Sequence, residues 1–119
     1  MDEKMKAFLR LMKSAFFLAK RAYVCSFDDD DSNRKEDKCA AMAYAAACLA
    51  KCSAAEAIYR TTPELEHEEI PDLFAKFDIF AHELFQDFET DHSRQWVGIE
   101  FKRLEECFED SVCSQRIPE

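Results

Sequence analysis

Two short patterns in this chain place ligand-type residues one helical turn apart. Glu64 with His67, and Glu89 with His92, are spaced i, i+3, which sets a carboxylate and an imidazole on one helical face. Two such pairs could hold two metal ions if a lone Glu pointed inward from each of two further helices. Glu36 and Glu56 are the candidates in the middle of the chain, but near the start only Glu3 is available, at a helix tip. His82, beside Glu83, could join His67 and His92 only if the fold gathers three separate regions. Cys48 and Cys52, at i, i+4, put two thiols on one face. Cys25, Cys39, Cys107 and Cys113 form no second pair of that spacing, and no Cys-x2-Cys zinc pattern occurs. The run Asp28 to Asp31 fails as a calcium loop, since the sixth position is Asn33 rather than Gly and the twelfth is Cys39 rather than Glu. Gly98 is the only glycine, which excludes a Gly-rich phosphate loop. No serine or cysteine sits in a nucleophile motif. The expectation is a chain with no catalytic residue, no resident metal and no cofactor, whose six cysteines are small apolar fillers and free thiols.

Charge is the stronger signal. Residues 1 to 60 hold 11 Lys/Arg against 9 Asp/Glu, and residues 61 to 119 hold 5 against 16, within an overall charge of −9. A surface this acidic repels phosphate backbones and attracts basic partners, so direct nucleic-acid binding is not expected. The carboxylates placed to meet such a partner are Glu64, Glu66, Glu68 and Glu69 in a connector, and Asp87, Glu89 and Asp91 further on. Asp28 to Asp31 can assist them.

The elements that must carry these residues are helices. One glycine and three prolines among 119 residues leave too few turn formers for a hairpin-rich β fold. Met5, Phe8, Leu9, Met12, Phe16, Ala19 and Tyr23 recur at three- and four-residue steps and predict a first helix over 2–25. Leu11, Phe17 and Leu18 lie off that stripe and predict a second buried face, from a central position or a subunit contact such as a homodimer. A second helix, over 36–60, carries ten alanines. It has one apolar line through Met42, Ala46, Leu49 and Ser53 and another through Tyr44, Cys48, Ala55 and Ile58, as an inner helix of a bundle would. Thr61, Thr62, Pro63 and Glu64 signal a cap and a short helical turn to about residue 68. Pro71 then opens a third helix to about residue 89. Its stripe of Ile70, Leu73, Phe74, Phe77, Phe80, Ala81, Leu84, Phe85 and Phe88 has no miss. Asp91 or Ser93 caps a fourth helix, with Val97, Phe101, Leu104, Phe108 and Val112 as its stripe and Trp96 beside it. The tail from Ser114 is expected to fray.

The expected fold is all-α: a single domain over 1–119, a mostly antiparallel four-helix bundle with a short extra helical turn before the third main helix. The longest apolar run, Cys39 to Ala50, is mostly alanine and short of a membrane span. No membrane association is expected, no signal peptide is recognised, and a cytoplasmic setting follows.

Three resemblances add to this reading. The paired Glu-x-x-His spacing is similar to that of ferritin-like di-iron bundles. The Cys48/Cys52 pair is similar to those lining helical copper-storage bundles, which repeat the pair on several helices. The stretch Ala43 to Ile58, AYAAACLAKCSAAEAI, resembles a helix of HEPN domains, small helical bundles that include ribonuclease toxins and partners of nucleotidyltransferases. Arg60 and His67, with TTPELE between them, match the spacing of that family's catalytic Arg and His. The match covers about a fifth of the chain and straddles Pro63, whereas the family's motif lies on a late helix. That resemblance implies a ribonuclease toxin or a nucleotidyltransferase partner. The residues themselves point instead to a non-enzymatic binding protein, of inhibitor, immunity or adaptor type, docking on a basic surface of a protein partner.

Overall fold

In a computed structural model, which describes residues 2–26, 34–65, 69–90 and 94–116, the chain forms four main helices. These are α1 (Glu3–Ser26), α2 (Arg34–Arg60), α3 (Glu69–Thr90) and α4 (Arg94–Glu109). A 3-10 turn at Pro63–Leu65 precedes α3, and a second at Val112–Ser114 follows α4. Each helix packs on the next, and α4 returns beside α1, so the four stand in a ring with α1–α2 across from α3–α4. Ring contacts fix the directions. Phe8 meets Tyr59 and Phe74 at one end, and Tyr23 stacks on Phe101 towards the other. Neighbours are therefore antiparallel, as expected for an all-α bundle.

The buried positions explain why the helices lie side by side. On α1 the seam is Phe8, Met12, Ala15, Ala19, Ala22 and Ser26, alternating steps of four and three, with Leu9 buried beside it. Ala41, Ala45, Cys48, Cys52 and Ala55 do the same on α2, as do Ile70, Leu73, Phe77, Phe80, Leu84 and Asp87 on α3. Val97, Phe101, Leu104, Phe108 and Ser111 continue the rule on and beyond α4. An average step of 3.5 residues keeps a seam facing the same neighbour along a whole helix.

That register corrects several sequence expectations. The buried line of α2 takes in Cys48 and Ala55 of the second line drawn for it and no member of the first, because ten alanines give the helix almost no contrast between faces. Phe17 is not buried within the bundle; it is 61% exposed, while Leu11 and Leu18 are half-buried. α3 begins at Glu69, two residues before Pro71, and the proline sits in the first turn, where its missing N–H costs no helical bond. The Thr62 hydroxyl does not cap the turn that follows: it is buried and makes no hydrogen bond among the described residues.

The ends are fastened by specific groups. The Asp2 carboxylate accepts from the Lys4 amide at 3.4 Å, an N-cap contact at the start of α1. Thr61 turns its hydroxyl back onto the carbonyls of Ala57 and Ile58 at the end of α2. Ser111 accepts from the Cys113 amide at 3.1 Å. The turn it caps is held from two sides. Glu69 accepts from the Val112 amide at 3.1 Å, and the Lys13 ammonium donates to the Ser114 carbonyl at 3.2 Å. Ser114 is thus tied to the bundle rather than frayed, and Cys113 beside it is fully buried.

Candidate docking face

The bundle separates charge by helix pair. α1 carries six basic residues against one acidic, and α2 carries five against three, so this pair is positive by seven. α3 carries one basic residue against six acidic, and α4 three against four, so the facing pair is negative by six. The difference in charge between the pairs equals that between the two halves of the sequence, but it is divided almost evenly between a positive and a negative side.

On the acidic pair, a groove of about 430 Å³ runs between α3 and α4. Its walls hold four carboxylates, Glu69, Asp72, Glu106 and Asp110, against two cations, Lys76 and Arg103, with Cys107 among them. Both cations are already engaged by acids on their own helices: Lys76 with Asp72 at 3.8 Å, and Arg103 with Glu100 at 2.7 Å. Glu100 is buried, so the exposed guanidinium of Arg103 covers a carboxylate that is largely withdrawn from solvent. No ion pair engages Glu106 or Asp110 among the described residues. The surplus charge of the groove is therefore carboxylate.

Two large apolar side chains are exposed on the same two helices, beyond the groove. Ile79 is 41% exposed and lies three residues beyond Lys76, on the same face of α3. Trp96 is 46% exposed and lies seven residues before Arg103, two turns along α4. An exposed tryptophan on an acidic pair of helices is the residue type that anchors protein interfaces. The Cys107 thiol donates to Asp72 at 3.6 Å. Burial, with Asp72 beside it, pushes that thiol above its ordinary value, so it stays protonated near neutrality and is not an activated nucleophile.

The sequence-predicted candidates fall in four places. Glu64 is exposed on the turn at one end of the bundle, and Glu69 lies close by at the start of α3, where it also holds the C-terminal turn. Glu89 is exposed at the far end of α3, about 30 Å from Glu69 at 1.5 Å per residue, in a shallow pocket with His82, Phe85 and Gln86. Asp87 is not on the surface: at 7% exposure it is buried and engaged, because it takes the seam position that follows Leu84. Glu66, Glu68 and Asp91 lie outside the described residues, as do His67 and His92. Of the four described candidates, Asp87 is buried and Glu89 stands far from Glu64 and Glu69, so these four do not form one patch. Sequence reasoning missed Asp72, Glu106 and Asp110. Charge runs drew attention to the connector, whereas these acids are scattered singly and meet only when the seam register is known.

The other candidate chemistry is dispersed. Glu64 and Glu89, the acids of the two Glu-x-x-His pairs, stand at opposite ends of the bundle. No group of three or more His, Cys, Asp or Glu is placed to hold a metal among the described residues. Cys48 and Cys52 are buried neighbours in the α2 seam, and the hydrogen bond between them, together with burial, raises the Cys52 thiol far out of the reactive range. All six cysteines are free thiols. Arg60, of the Arg–His pair, ends α2 with its side chain 74% exposed and bonded to Glu56. One helix, over Lys38–Arg60, is long and apolar enough to cross a membrane by composition alone, a property it owes to its alanines. Comparison with protein-family models, curated proteins and solved structures finds no match to this chain.

Proposed function

We propose that this chain is a non-enzymatic, acidic helical binding protein, of inhibitor, immunity or adaptor type, that docks on a basic surface of a protein partner through its α3–α4 face. One observation carries the reading. The groove between α3 and α4 concentrates carboxylates whose two neighbouring cations are already paired, and the same two helices expose Ile79 and Trp96 beyond it. Acids around an apolar anchor supply both parts of a docking surface: long-range attraction that speeds encounter, and a buried contact that slows release.

The test is capture of the partner from lysate of the native host, followed by kinetics with the purified pair. Association should slow as salt rises, since exposed charges act over about 8 Å at physiological ionic strength. The combined substitution Asp72→Lys, Glu106→Lys and Asp110→Lys should weaken binding by tenfold or more, roughly 1.4 kcal/mol or above. A partner that binds this variant as tightly as the parent chain would overturn the reading. The HEPN-like alternative makes the opposite forecast: Arg60→Ala or His67→Ala would abolish RNA cleavage while the groove substitutions would leave it intact.

A further inference from the structure

Four large hydrophobic side chains are exposed among the described residues, and they divide evenly between the two sides of the bundle: Phe17 and Val24 on α1, Ile79 on α3 and Trp96 on α4. Phe17 and Val24 are seven residues apart, so they stand on one line along the outside of α1. Their neighbours on that side are cationic, with Arg10, Lys20 and Arg21 all exposed. An outer line of α2, through Ala43, Ala50 and Ala57, is exposed and made of the smallest apolar side chains, and Tyr44 of α2 meets Arg21 of α1 at 3.4 Å. This side is basic with apolar anchors, and the α3–α4 side is acidic with apolar anchors. They face away from each other across the ring of helices.

We infer that a second copy of this chain docks its acidic α3–α4 face on the basic, apolar α1–α2 face of the first. The inference rests on the reading above, that the α3–α4 face seeks a basic protein surface, and names this chain's own opposite face as one such surface. Electrostatics selects this pairing over the others. Two α1–α2 faces would oppose positive charge to positive, and two α3–α4 faces negative to negative, while front on back opposes the two signs. The long sides of the molecule measure 47 Å by 21 to 24 Å, room for the roughly 800 Å² per partner of a standard interface. A front-to-back contact is heterologous, and since the two faces lie on opposite sides, successive copies stack in a line rather than closing a ring. The same contact lets a basic partner compete for the acidic face and disassemble the stack.

Sedimentation velocity on the purified full chain tests this, with no other protein present. The parent chain should show an average mass rising above 13.9 kDa with concentration, and higher salt should weaken the association about tenfold. A back-face variant, Phe17→Glu with Val24→Glu, and a front-face variant, Ile79→Lys with Trp96→Lys, should each sediment as a monomer. Both sets of positions are exposed, and circular dichroism of each variant checks that its helices are retained. Mixed one to one, the two variants still offer one intact front and one intact back, and should give a dimer that cannot grow further. A parent chain that stays monomeric throughout the series overturns the inference. So does a front-face variant that still self-associates, which would show a back-to-back dimer instead. Neither result touches docking on another basic protein, which the charge reversals at Asp72, Glu106 and Asp110 test separately.

Discussion

The α1–α2 pair and the α3–α4 pair solve the same packing problem with different residues. The seam of α1 and α2 is lined by Ala15, Ala19, Ala22, Ala41 and Ala45, side chains that contribute little area but let two backbones approach closely along several turns. The seam of α3 and α4 is lined by Phe77, Phe80, Phe101 and Leu104, each of which supplies about 1.5–3 kcal/mol by leaving water. Aromatic contacts also join the pairs: Phe16 of α1 stacks on Phe108 with ring centres 4.3 Å apart, and Phe80 meets Phe101 edge-on at 5.5 Å. Small residues thus set spacing on one side and large ones supply burial on the other. The outer surfaces differ too, one basic and small-residued, the other acidic and grooved.

This contrast can be broken most severely at its large residues. Phe77→Ala or Phe80→Ala should each cost about 3–5 kcal/mol in chemical denaturation, because both side chains are fully buried and the cavity would not close. A loss below about 1 kcal/mol at both sites would show that the α3 stripe is not core. On the alanine side the damage comes from addition. Ala19→Leu or Ala45→Leu should cost about 1–3 kcal/mol by forcing the backbones apart, although leucine is a strong helix former. Unchanged or raised stability in both variants would show that the α1–α2 seam has room to spare.

A smaller effect depends on pH. Burial pushes the Cys113 thiol up to about 12, from an ordinary value of 9.0. The unfolded thiol ionises above pH 9 while the folded one resists, so the folded state binds more protons in that window. Stability from this group is complete below pH 9 and falls as pH rises towards 12, by about 1 kcal/mol at pH 10. Cys113→Ala should flatten that part of the stability profile, and an unaltered slope would contradict the account. The smallest effect belongs to the exposed anchors. Phe17→Ser and Trp96→Ser should each change stability by no more than about 0.5 kcal/mol, since neither fills the core.

The sequence made the fold legible where side chains contrast with their neighbours. The unbroken aromatic stripe of α3 and the single glycine were enough to read four helices and no sheet. It was silent where contrast fails. Ten alanines in α2 look alike on every face, and only the fold shows that Ala41 and Ala45 are buried while Ala43 and Ala50 are exposed. Asp87 marks the other limit. As a charged residue next to an apolar stripe it reads as surface, yet continuing the three-four register from Leu84 places it in the seam.

The most direct measurement sets the two charged faces against each other in one binding assay. The captured partner is titrated with the parent chain, with Asp72→Lys, Glu106→Lys and Asp110→Lys on the acidic face, and with Arg10→Glu, Lys20→Glu and Lys51→Glu on the basic face. If the α3–α4 face docks the partner, the first set lowers affinity at least tenfold and flattens the salt dependence, while the second leaves both within about twofold. Loss of binding confined to the second set, or equal affinity for all three proteins, would contradict the assignment of function to the acidic face.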